Sequence, residues 1–95
     1  MISVVGHTAL DHLMRVPFLP EKNHSALITE RHTAFGGGAA NIAAGIARLE
    51  EPCTLVSAVG ADFTGSEYNR WMSQLGITRK FFVSSDLPTP AAFIF

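Results

Sequence analysis

A single cysteine, one tryptophan and one tyrosine in 95 residues leave little material for several kinds of chemistry. Cys53 has no partner for an intrachain disulfide, so a reducing compartment is the simpler setting and the chain is expected to be cytoplasmic. Only 16% of residues are charged, seven basic against eight acidic, giving a net charge of −1 with no cluster of either sign. With no basic stripe to attract phosphate backbones or anionic lipid, neither nucleic acid nor membrane is an expected partner. No apolar run approaches the ~20 residues of a membrane span. Ile2 to Val5 lacks a basic flank and meets Gly6 too soon for a secretory leader. His7, His12, His24 and His32 form no helical pair, and Cys53 offers no second soft ligand, so no metal site is expected. Entering an apolar segment, Cys53 reads as a small hydrophobe and not as a nucleophile.

What the sequence does have is core-forming material. The apolar fraction is 47% with no low-complexity tract, which places the chain among globular sequences and not disordered ones. Ninety-five residues make one domain at most, and a chain of this size buries only about 60–65% of its unfolded surface. The final run, Ala91 to Phe95, is apolar and reaches the last residue without a polar cap or turn. Complete proteins usually cover such strand ends, so the natural protein is expected to continue beyond it.

The patterning alternates strands with helices. Ile2 to Val5 reads as a short buried strand closed by Gly6. Leu13 to Phe18 and Ser25 to Phe35 alternate loosely and read as half-exposed strands of a small antiparallel sheet. Ala39 to Leu49 is alanine-rich and apolar on nearly every face, which predicts a buried helix. Thr54 to Val59 is a strand, and a helix running to about Leu75 follows, with Asp62 or Thr64 as its cap. Tyr68, Trp71, Met72 and Leu75 give that helix a core-facing stripe, and Gly76 fits a left-handed end. Lys80 to Ser84 and Ala91 to Phe95 complete the strands, around a turn at Asp86 to Pro90. Alternation of this kind predicts an α/β layer with a parallel sheet, and the paired segments an antiparallel flap attached to it.

The motif with the most chemical content is Gly36-Gly37-Gly38-Ala39-Ala40-Asn41, between a strand and a helix. Glycines let backbone approach a ligand, and the free N–H groups of a helix start point at whatever binds there, which suits a hydroxylated or anionic ligand. A tight turn with Asn41 as a local cap explains the same residues. Asp11 follows the first strand, where ligands collect in open α/β sheets. Its carboxylate could accept hydrogen bonds from vicinal hydroxyls, or serve only as a turn residue. A dinucleotide fingerprint fails because Asn41 stands where the third glycine belongs, and no Gly-Lys-Ser/Thr phosphate loop occurs.

Together, the diglycine turn, Asn41, the alanine-rich helix and the Gly60-x-Asp62-x-x-Gly65 segment resemble the first signature of the ribokinase (PfkB) family of carbohydrate kinases. Val5 to Asp11 and Phe35 to Ala43 are most similar to its archaeal nucleoside kinases. The resemblance spans the whole chain and implies the N-terminal part of a ribokinase-like α/β parallel-sheet core. It also implies a small antiparallel β lid, with strands over residues 12–18, 25–35 and 91–95. It implies that Asp11, the backbone of Gly37 and Gly38, and Asn41 bind a sugar or nucleoside acceptor, with Phe93 of the lid contacting base or sugar. ATP and Mg2+ are expected for a full-length kinase and not for these residues alone. The catalytic base is expected beyond Phe95, and a homodimer through lid strands is compatible with the family. The chain alone is therefore expected to transfer no phosphate; the alternative is a non-catalytic sugar- or nucleoside-binding or interaction module. One position departs from the signature: Glu50 stands where glycine or serine is expected after the helix, so either the helix ends differently or the turn is strained.

Overall fold

The computed structural model describes residues 1–95. In chain order the elements are β1 (Ile2–Val5), β2 (Ala9–Arg15), β3 (Glu30–Gly36), α1 (Gly38–Arg48), β4 (Cys53–Gly60), a single 3-10 turn (Ala61–Phe63), α2 (Glu67–Gln74), β5 (Thr78–Ser84) and β6 (Ala91–Ile94). They form two three-stranded sheets, ordered β1-β4-β5 and β3-β2-β6.

The first sheet is wholly parallel. Its β-branched strands are joined through helices, as parallel pairing requires. Ala39, Ala40 and Ala43 of α1 pack with Cys53, Leu55 and Val59 of β4 and with Phe63, Tyr68, Met72 and Ile77 in one continuous core. The small alanines let α1 lie close to the strands. Only this face of α1 is buried, contrary to the expectation of an all-round buried helix; Ile42 is 58% and Leu49 77% exposed. The sheet's opposite face is also open, with Val5 75% and Phe82 71% exposed, although parallel sheets are ordinarily covered on both sides.

The second sheet pairs β2 with β3 antiparallel, as expected, but β6 joins β2 in parallel, so the sheet is mixed. Its strands are shifted from the spans read off the sequence. The hairpin runs from Ala9↔Gly36 to Arg15↔Glu30, leaving residues 16–18 and 25–29 outside it. Two features close the ladder at Arg15. Thr29 spends both its N–H, at 2.9 Å, and its hydroxyl, at 3.1 Å, on the Arg15 carbonyl, and Pro17 has no N–H to continue the pairing. All three strands are tied to the parallel core at the same end, through Leu10 and Phe35 packed on it, the Tyr68 hydroxyl on Gly36, and Thr89, just before β6, held by Asp62.

Helix ends also differ from expectation. Ser66 caps α2, its Oγ accepting from the Asn69 N–H at 3.1 Å. Asp62 is not a cap, because Oδ1 accepts from both the N–H and the hydroxyl of Thr89, at 2.9 and 3.0 Å. The Thr89 hydroxyl in turn accepts from the Gly60 N–H at 3.1 Å, which ties the end of β4 to the segment entering β6. Gly76, at φ +79°, ends α2 as expected, with its N–H on Ser73 and that of Ile77 on Met72.

Glu50 resolves the other departure in favour of strain. It occupies the same left-handed position after α1 at φ +63°, its N–H on Ala47 and that of Glu51 on Ile46. A Cβ there costs about 1 kcal/mol. Glu50→Gly should therefore raise stability by about that amount, an increase of roughly 4–8 °C in Tm for a domain of this size. A thermal melt that shows no rise would contradict the assignment of strain.

Candidate functional site

The site is built where β1 ends and α1 begins. The loop after β1 is fastened to β4 by the Gly6 N–H on the Val56 carbonyl at 3.1 Å and by the Ser57 hydroxyl on the Gly6 carbonyl at 2.6 Å. The His7 carbonyl then accepts from the Ala40 N–H at 3.2 Å, holding the loop against the start of α1. Between them the Gly36–Gly37 turn has no space for side chains. A Cβ on Gly37 would overlap the His7 carbonyl and lie 2.7 Å from Thr8 Cα, and its φ of +96° already favours glycine. Gly38 faces open space.

Asp11 lies in the middle strand of the second sheet, on the same face as Gly36, and its carboxylate covers that glycine so closely that a Cβ there would fall 2.5–2.7 Å from its atoms. The Gly37 N–H makes no hydrogen bond within the chain, and those of Gly38 and Ala39 have no intrahelical acceptor because they open α1. An acceptor-only carboxylate thus stands beside a row of unpaired donors, an arrangement that can hold a ligand hydroxyl as donor and acceptor at once. Thr8, fully buried behind the turn, has a hydroxyl with no partner in the chain.

The remaining candidates are placed unevenly. Asn41 stands one turn into α1 on its exposed side, next along the helix surface from Gly38. Phe93 is not brought to Asp11. It pairs in register with His12 and stacks on that ring at 4.8 Å, and successive residues of a strand face opposite sides. Its neighbours Ala92 and Ile94 are the β6 residues on the Asp11 face, Ala92 directly opposite Asp11. Farther out on that face is a hollow of about 600 Å3 lined by Leu13, Phe18, Ile94 and Phe95, with Glu30 and His32 at its rim. The sequence shows the alternation in β6 but not the register that turns Ala92 and Ile94 toward Asp11.

Tyr68 was legible only as core, and it reaches the site as well. Its ring stacks on Phe35 at 4.3 Å and its hydroxyl donates to the Gly36 carbonyl at 2.7 Å. Burial, and then the nearby charge of Asp11, push the phenol up from 10.0 to about 12. Because the folded value exceeds the unfolded one, this group's contribution to stability is complete below pH 10 and is lost as pH rises toward 12. Tyr68 is the only tyrosine. Phenolate absorbance should therefore stay low past pH 10 and develop near pH 12 or together with unfolding; a midpoint at 10 in folded protein would contradict the buried, bonded phenol.

Comparison with known proteins adds an independent line. The model of the pfkB family carbohydrate kinases matches residues 1–95. The chain is 43% identical over 95 residues to a nucleoside kinase of Methanocaldococcus jannaschii, covering 99% of this chain and 32% of the relative. It is 38% identical over 72 residues to an ATP-dependent ribose-1-phosphate kinase of Halopiger xanaduensis, covering 76% of this chain and 24% of that one. The crystal structure of the M. jannaschii nucleoside kinase superposes with a TM-score of 0.92 over 97% of this chain and 31% of its own. A ribokinase from Thermotoga maritima, 31% identical, superposes at 0.86 over the same shares. The match thus spans between a quarter and a third of the length of these kinases.

Proposed function

The chain belongs to the pfkB family of carbohydrate kinases, and from that premise we propose that it forms the acceptor-binding part of an ATP-dependent kinase acting on a primary hydroxyl of a sugar or nucleoside. The observation that carries the proposal is the Asp11 carboxylate lying against Gly36 beside the unpaired N–H of Gly37. Asp11 would accept hydrogen bonds from ring hydroxyls, Gly37 and Gly38 would approach the ring through backbone, and Asn41 would bind a further hydroxyl. In this reading Ala92, opposite Asp11, would be the closer lid contact, and Phe93, on the other face, would lie outside this site. Relatives named nucleoside kinase, at 43% and 42% identity, support a nucleoside over a free sugar.

In this reading the donor nucleotide and its magnesium would be held outside these residues. A polyphosphate at the α1 start would meet the Asp11 carboxylate, and the other carboxylate near the strand ends, Asp62, is committed to Thr89. Phosphoryl transfer depends on positioning, a base and charge stabilisation at the phosphate. In this reading the chain supplies the first for the acceptor, and the rest comes from outside these residues. The lid strands keep Leu13, Ile94 and Phe95 exposed, which supports their use in a homodimer. The buried free thiol of Cys53 supports a reducing, cytoplasmic setting.

A chimaera tests the reading. Replacing the corresponding third of the M. jannaschii nucleoside kinase with residues 1–95 should give an enzyme that phosphorylates nucleosides with ATP and magnesium, while the 95-residue chain alone gives no turnover. A folded chimaera that binds nucleoside without phosphorylating it would favour a non-catalytic module. Turnover by the pure chain would refute the division of labour.

A further inference from the structure

The strand registers arrange the Asp11 face of the small sheet in rows. One row is Ala34, Asp11 and Ala92, and the next row outward is His32, Leu13 and Ile94. Two alanines therefore flank the carboxylate and leave room above it, while larger side chains follow. Successive rows on one face lie two residues apart, about 7 Å along a strand. The hollow of about 600 Å3 stands over the second row and beyond it, with Phe18 and Phe95 also in its lining. Its volume is within the ~300–1,000 Å3 of small-molecule sites, whose usual lining is apolar with a few polar groups that fix orientation.

The polar groups here are at the rim. His32 Nε2 lies 2.9 Å from Glu30 Oε1, and Arg15, the one arginine or lysine at the hollow, has its Nε 3.5 Å from Glu30 Oε2. The rim charges are thus paired with one another, and no unpaired cation is left to receive a phosphate. The floor, in contrast, offers apolar surface: Leu13 is 39% and Ile94 44% exposed. An occupant that fits is uncharged, apolar across its faces and polar at its edge, which describes a nucleobase. An acceptor held by its ring hydroxyls at Asp11, with its primary hydroxyl kept free for transfer, has one other substituent to extend into the hollow, that on the anomeric carbon.

We propose that the hollow receives the base of a nucleoside acceptor, and that Leu13 and Ile94 are specificity-determining residues favouring a base over a phosphate or a bare hydroxyl at the anomeric carbon. The proposal rests on the acceptor-binding reading and adds to it the second half of the site.

The test uses the chimaera carrying Leu13→Ser and Ile94→Ser, both at partly exposed positions, with a thermal melt to confirm folding. Its kcat/KM for adenosine and cytidine should fall roughly 10- to 100-fold, while the inhibition constant of D-ribose and the KM for ATP change less than about twofold. Leu13→Lys, a second variant, places a cation in the hollow and should shift preference from adenosine toward ribose 1-phosphate. Asp11→Asn should weaken adenosine and D-ribose alike, because both present ring hydroxyls. Equal losses for adenosine and D-ribose in the serine variant, or no loss for either, overturn the proposal. So does a change from dimer to monomer by light scattering with adenosine kinetics unchanged, which would make the hollow an interface between copies. The two readings fail differently: a wild-type chimaera that phosphorylates no acceptor fails the acceptor reading and this proposal with it, whereas an active wild type whose hollow variants keep their adenosine kinetics fails this proposal alone.

Discussion

Asp11→Asn in the completed kinase should lower kcat/KM for the acceptor by roughly one to two orders of magnitude while leaving the KM for ATP nearly unchanged. The size follows from hydrogen bonds to a charged group, typically worth ~1.5–3 kcal/mol, being replaced by bonds to a neutral amide half of which is a donor. The direction follows from placement: the carboxylate lies over Gly36, beside N–H groups that supply donors of their own. Asn41→Ala should cost less, since Asn41 is exposed and one turn farther along α1. The structure removes the turn-residue reading of Asp11, which lies inside β2 between Ala34 and Ala92; were it only a strand residue there, the isosteric asparagine would replace it with little effect. Steady-state kinetics with acceptor and ATP varied in turn, beside a thermal melt, separate the two. Wild-type acceptor kinetics in a stably folded variant would refute the role.

Gly37→Ala should be the most damaging single methyl that can be added at the site. The residue's φ of +96° is strained for any L side chain, and the new Cβ would run into the His7 carbonyl and Thr8 Cα, both backbone. A side chain can swing aside, but these atoms move only with the loop. A cost above ~3 kcal/mol is expected, a large share of the 5–15 kcal/mol that stabilises a typical domain. The contrasting substitution is one residue away. Gly38→Ala meets nothing within 4 Å and lies inside α1, so it should leave Tm unchanged or slightly higher. If the acceptor approaches Gly38 through backbone, the same methyl should still weaken acceptor binding. Melting curves of the two variants measure the first contrast, and equilibrium nucleoside binding by the Gly38→Ala chimaera measures the second.

The parts of this fold legible in the sequence are those fixed by local pattern. Ile2–Val5 is a strand where its β-branched run predicts, though an exposed one and not the buried one expected; the Tyr68 and Met72 stripe faces the core, and Gly76 ends α2 in the left-handed conformation. Glu50 was visible as a departure from the family signature, and its positive φ at the end of α1 gives the physical reason. What escaped reading depends on residues far apart in the chain. Asp62 looks like a cap until Thr89, 27 positions later, claims its carboxylate. The lid strands were read too far toward their distal ends because alternation continues past Arg15, while Thr29 and Pro17 end the pairing there. Phe93 was the most visible side chain of β6, yet the parallel register with β2 puts Ala92 and not Phe93 on the Asp11 face. Period-two alternation divides a strand into two faces; only its partner tells which is which.

Ala9, Gly36 and Ala91 root the three strands of the small sheet along one edge. A blade fixed along a line rocks about that line more easily than it bends or slides, and each residue travels in proportion to its distance from the axis. At about 3.3 Å per residue along a strand, Asp11 lies two residues from the root at Ala9, whereas Arg15 and Glu30 lie at the far end of the hairpin. Rocking would therefore sweep the tip through a wide arc while Asp11 stays close to the diglycine turn. Access to the site and grip on its occupant would be geometrically separate in such an arrangement, with the outer half of the blade acting as a door and Asp11 staying near its hinge.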